Sequence, residues 1–129
     1  MDLSFTTDQE ALREAVQRLY AKASHPERVR EVEALGFDPA LWDQVVAMGL
    51  PAMAVPEAAG GASASLTDLA VAVEVHGAHM GSAPLVETAV VARLLARLAD
   101  GGSEPARAAL AEVIDGAAGA CALRPVAGD

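Results

Sequence analysis

Two prolines within one apolar run, Pro51 and Pro56 in GLPAMAVPEAAGG (residues 49–61), constrain this chain more than any other feature. Proline removes a backbone donor and locks φ, so no α-helix runs through the segment. A connection this apolar is also a poor surface loop, because its side chains avoid the water that would satisfy its backbone. The pattern predicts a buried, extended crossover with a helix on each side. The pair Gly60-Gly61 ends it at a backbone turn closed to other residues.

Helical punctuation surrounds the crossover. Thr7-Asp8-Gln9-Glu10 reads as a capping box opening a first helix, behind which Leu12, Ala15, Val16, Leu19 and Tyr20 recur on one face. Ser24-His25-Pro26-Glu27 repeats the pattern before a short charged helix over 27–34, and Gly36 ends it. Asp38-Pro39 supplies an N-cap and a first-turn proline for a helix carrying Leu41, Trp42, Val45 and Met48, stopped at Gly49. Ser65 with Asp68 opens a helix over 66–80 that is apolar nearly all round, as expected inside a bundle. Further helices are predicted over 85–99 and from Ser103-Glu104-Pro105 to about residue 114. The run 117–123, small and apolar, reads as the beginning of a strand.

The predicted fold class is therefore all-α, a bundle of about six helices ending in the first strand of a β-domain. Residues 1–116 form the helical domain and 117–129 the entry to the next. Aromatic residues make up only 3% of the chain against 53% hydrophobic residues, which suits closely packed helices with thin side chains. A formal net charge of −9 argues against a nucleic-acid partner. The apolar region 66–98 is interrupted by Asp68, Glu74, Glu87 and Arg93 and by the turn around Gly81 and Pro84, so no membrane span is expected. A single cysteine, Cys121, leaves no internal disulfide and fits a reducing compartment. The N-terminus has no signal-peptide pattern, and a cytoplasmic location is expected.

Few constellations carry chemistry of their own. Glu74 and Glu87 fall on separate helices, which favours solvated or arginine-paired carboxylates over an acid–base pair. His76 and His79 share a helical face without a third ligand, so no metal site is expected. There is no G-x-S-x-G elbow and no phosphate loop.

Three stretches, FTTDQEALREAVQRLYAK, PERVREVEALGFDPALWDQVVAMGLPAMAVPEAAGG and SLTDLAVAVEVHGAHMGSAPLVETAVVARLLA, resemble in order the N-terminal helical domain of acyl-CoA dehydrogenases. In that family a helix ending in Gly-Leu precedes a segment ending Val-Pro-Glu, two more residues and Gly-Gly. Gly49, Leu50, Val55, Pro56, Glu57, Gly60 and Gly61 fit that pattern, while Ala58-Ala59 departs from the usual aromatic.

The resemblance implies part of an FAD-dependent enzyme that α,β-dehydrogenates an acyl-CoA and passes electrons to an electron-transfer flavoprotein. The catalytic glutamate of such enzymes lies beyond these 129 residues. The helix beginning near Leu85 would line the acyl pocket, placing Glu87, Thr88 and Val91 toward substrate. Alignment on Pro125 places Cys121, Ala122 and Leu123 at the strand positions that face the flavin. Leu123 replaces a threonine there, Arg124 a glutamate, and the serine before Asp129 is missing. These departures admit a second role, a non-catalytic partner subunit or acyl-thioester binding module of a heteromeric dehydrogenase. Homo- or hetero-oligomers are expected in either case.

Overall fold

The computed structural model describes residues 4–121. Six α-helices follow one another: α1 (Thr7–Ala23), α2 (Pro26–Val32), α3 (Pro39–Ala47), α4 (Leu66–Ala78), α5 (Leu85–Asp100) and α6 (Glu104–Ile114). Among the described residues there is no strand; residues 117–121 run without regular structure, and the rest of the predicted strand lies outside them. None of these helices is long and apolar enough to cross a membrane.

The first cap falls one residue earlier than the sequence suggests. Thr6, not Thr7, accepts from the Gln9 amide at 3.2 Å, and the Gln9 side chain accepts from the Thr6 amide in return. A tertiary contact accompanies this register. The Gln9 amide group donates to Asp68 Oδ1 at 3.0 Å, while Asp68 Oδ2 accepts from the Ser65 amide in the capping box of α4. The N-termini of α1 and α4 are thus tied through their caps, and the two helices pack along each other.

Ser24 does not cap α2. It closes α1 and donates its hydroxyl to the His79 carbonyl at 3.0 Å, so it is buried. His25 takes the capping role, its Nδ1 accepting from the Arg28 amide. Asp38 caps α3 as expected, Oδ1 accepting from Ala40 and Leu41, and also receives two 2.8 Å bonds from the Arg28 guanidinium. Its own amide donates to the Ser82 carbonyl. One residue therefore fixes three places, its carboxylate joining α2 to α3 and its amide holding the turn before α5.

The crossover is buried in its first half but not extended. Leu50–Ala52 and Glu57–Ala59 form 3-10 turns, a conformation the φ of proline suits equally well. Local bonds such as Val55 N–H to Ala52 O satisfy much of its backbone. Two further bonds, Ser63 N–H to Val55 O and Ala64 N–H to Met53 O, fold its return limb back on itself. A Cβ on Gly61 would stand 2.1 Å from the Val55 carbonyl oxygen, so this close approach requires glycine.

The core has two parts. One gathers Val16, Tyr20, Leu41, Trp42, Val45, Leu50 and Leu85 between α1, α3, α4 and the start of α5. The other joins Val55, Ala92, Ala96, Leu110 and Val113, where the pair α5–α6 closes on the crossover. Each large aliphatic side chain so buried contributes about 1.5–3 kcal/mol. Trp42 ties α3 to the segment that follows α6, its indole N–H donating to the Gly116 carbonyl at 2.9 Å.

α4 is not enclosed on every side within these residues. Only Leu69, Val71, Ala72 and Val75 are buried, whereas Leu66 is exposed. α5 shows an exposed ridge of Val86, Val90, Leu94 and Leu98, spaced four apart and therefore stacked along one side of the helix.

Candidate functional site

The three residues expected to face substrate lie in the first two turns of α5, which Leu85 anchors in the core while Glu87 adds a first-turn carboxylate. The structure separates them by role. Thr88 is fully buried: its hydroxyl donates to the Gly119 carbonyl at 3.2 Å and accepts from the Gly119 amide at 3.1 Å. Val91 packs against the same glycine, where an added Cβ would lie 2.9 Å from its Cγ1. Thr88 and Val91 therefore grip the chain as it leaves α6, and Glu87 stands exposed beside them.

Gly119 was not visible as a site residue from sequence. Its signal is slight, one glycine inside an alanine-rich run where a strand was expected. Its consequence is positional. Cys121, two residues on, is exposed with a free thiol. Ala122 and Leu123, expected at the flavin, lie outside the described residues. Cys121 is the one member of that trio with a polar side chain, so the segment offers a cofactor one thiol and its backbone groups.

A second cluster lies where α4 meets α1. The fully buried Tyr20 hydroxyl is 2.7 Å from His76 Nδ1, with the rings edge to face. Gly81 lies so close that a Cβ would come within 2.8 Å of both rings. Burial raises the tyrosine pKa above its ordinary value. Burial likewise lowers that of His76, and the Glu87 carboxylate opposes it. A neutral phenol and a neutral imidazole therefore share one hydrogen bond. His79, the neighbour in sequence, instead has Nδ1 3.0 Å from the Val75 carbonyl and stacks obliquely on Tyr20. The two histidines thus serve packing and helix termination here.

A cleft of about 700 Å³ opens between the second 3-10 turn, the C-terminal half of α5, and α6. None of Glu87, Thr88 and Val91 lines it. The cleft and the first turns of α5 are therefore separate features of one helix.

Comparison with known proteins identifies the family. Residues 6–117 match the family model described as acyl-CoA dehydrogenase, N-terminal domain. The chain is 37% identical over 113 residues to acyl-CoA dehydrogenase IpdE2 of Mycolicibacterium smegmatis, covering 85% of this chain and 34% of that protein. It is 36% identical over 122 residues to acyl-CoA dehydrogenase IpdE2 of Mycobacterium tuberculosis, covering 92% of this chain and 37% of that one. It thus spans about a third of the length of these curated relatives. No solved structure matches.

Proposed function

The chain belongs to the acyl-CoA dehydrogenase family, and we propose that it serves as the acyl-pocket wall of an enzyme that dehydrogenates an acyl-CoA at its α and β carbons. The observation that carries this reading is the junction on α5. The helix expected to face the acyl chain is the one whose Thr88 and Val91 hold the departing backbone at Gly119. Whatever follows this domain is therefore launched from beside Glu87.

In this reading Glu87, Thr88 and Val91 belong to the wall with different duties. Glu87 presents an exposed carboxylate toward the incoming domain or substrate. Val91 supplies apolar surface, and Thr88 holds the wall and the exit segment in register. Residues 117–129 begin a second domain, with Cys121, Ala122 and Leu123 on the cofactor side. FAD held beside those residues would supply the hydride acceptor for the acyl β-carbon, and an electron-transfer flavoprotein would take up the electrons. The base that removes the α-proton lies on protein beyond this chain. The exposed ridge of α5 suits burial by that further protein or by a second subunit of a homo- or hetero-oligomer.

A second reading, a non-catalytic partner subunit, is favoured by Leu123 and Arg124, which stand where the family pattern has threonine and glutamate. Purification of the polypeptide that carries this domain separates the two. A yellow product with the absorbance of oxidised flavin supports the catalytic reading. A colourless product that acquires flavin only together with a second dehydrogenase-like chain supports the partner subunit. A colourless product that binds neither flavin nor acyl-CoA contradicts both.

A further inference from the structure

Two arginines at the cleft of α5 and α6 have no part in the reading above. Arg93 is half-buried and Arg97 follows one helical turn later, both lining the cleft. Among the described residues neither guanidinium makes a hydrogen bond or an ion pair. The third arginine there, Arg107, is already engaged by Glu104 and by the Ala99 carbonyl. Asp100 and Asp115 also reach the lining, yet neither pairs with Arg93 or Arg97. The rest of the wall is apolar, chiefly Pro56, Ala59, Leu110 and Ile114.

A guanidinium partly withdrawn from water against an apolar wall loses hydration that only an anion or strong acceptor restores. Arg93 is such a group, and the exposed Arg97 one turn on adds a second guanidinium beside the apolar surface, so the pair defines a ligand with a charged head and an aliphatic body. We infer that this cleft binds an anionic amphiphile, its carboxylate or phosphate head on Arg93 and Arg97 and its aliphatic body along Ala59, Leu110 and Ile114. The site is distinct from the first turns of α5, so it stands or falls independently of the dehydrogenase reading.

Calorimetric titration of the 129-residue chain with decanoate, decyl phosphate and decanol, each below its aggregation range, tests this. At least one anion is expected to bind at least about tenfold more tightly than decanol, and the stronger of the two identifies the head group. The double variant Arg93→Gln/Arg97→Gln should lose that preference while retaining the melting temperature of the parent. Ala111→Trp, on an exposed position of α6 that lines the cleft, should block all three ligands. Arg30→Gln, which removes an exposed charge on α2 outside the cleft, should leave binding unchanged. Equal affinity for decanol and the anions, undiminished anion binding by the double arginine variant, or no binding by either anion would overturn the inference.

Discussion

Thr88 engages both backbone polar groups of Gly119, donating to its carbonyl and accepting from its amide across a separation of 31 residues. The hydroxyl is fully buried, so removing it leaves two backbone groups to find other partners. Thr88→Val, nearly isosteric, is expected to cost about 1–2 kcal/mol. It should also abolish hydrogen-exchange protection at the Gly119 amide, while Thr88→Ser restores most of it. Protection unchanged in the valine variant would show that the clamp does not hold the exit segment.

The Arg28–Asp38 pair contributes stability that acid removes. The side-chain bonds from Arg28 hold the Asp38 carboxyl below its ordinary pKa, with the amides of Leu41 and Ala40 assisting against the effect of burial. The unfolded chain therefore takes up this proton first as pH falls, and the stabilisation, complete above the ordinary carboxylate range, is lost through about pH 4 and below. Asp38→Asn keeps a capping oxygen but loses the ion pair. Because Arg28 is about one-third exposed and not stranded, the cost is expected near 2 kcal/mol, with a shallower acid decline in urea titrations. An unaltered acid profile in that variant would contradict the assignment.

His76 contributes at milder pH. Its folded pKa lies below the ordinary value, so the unfolded state protonates first and stability falls as pH drops below about 6.5. Glu87→Gln removes the attraction that opposes burial and should lower the His76 pKa further, as read from its imidazole proton by NMR. Tyr20→Phe should cost about 1 kcal/mol by removing the hydroxyl that meets Nδ1. A rise in the His76 pKa in the glutamine variant would contradict the proximity of the two groups.

Gly61→Ala tests the folded-back crossover. The new methyl would meet the Val55 carbonyl carbon and oxygen, backbone atoms that cannot rotate away, and a loss of roughly 3 kcal/mol or more is expected. Gly36→Ala makes a useful contrast, since nothing lies within 4 Å of its Cβ position and only its positive φ, +64°, is strained. It should cost about 1 kcal/mol. Equal melting temperatures for the two variants would contradict the close approach.

Local chemistry made much of this fold legible. Asp38, Ser65 with Asp68, and Gly49 at a left-handed φ mark helix ends as their residue types predict, because caps act within three or four residues. What escaped was decided at longer range. Thr6 and Thr7 offer the same hydroxyl, and the observed register accompanies a Gln9 contact with Asp68, 59 residues away. Ser24 looks like a cap but bonds the His79 carbonyl across the bundle. The crossover was expected extended, yet proline's φ fits a 3-10 turn as well as an extended chain, and packing around Leu50, Pro51 and Ala52 selects the turn. At the candidate site, the family resemblance singled out Glu87, Thr88 and Val91, and the predicted helix over 85–99 placed them together. Neither revealed that Thr88 points inward to a glycine of the exit segment.

Anaerobic titration with acyl-CoA thioesters of the polypeptide carrying this domain, followed by its flavin absorbance, tests the central claim most directly. The account predicts that at least one acyl-CoA bleaches the oxidised flavin stoichiometrically, with a chain-length preference that shifts when Val91 is enlarged to Phe. A flavin that no acyl-CoA reduces, in a protein that contains its own bound FAD, would contradict it.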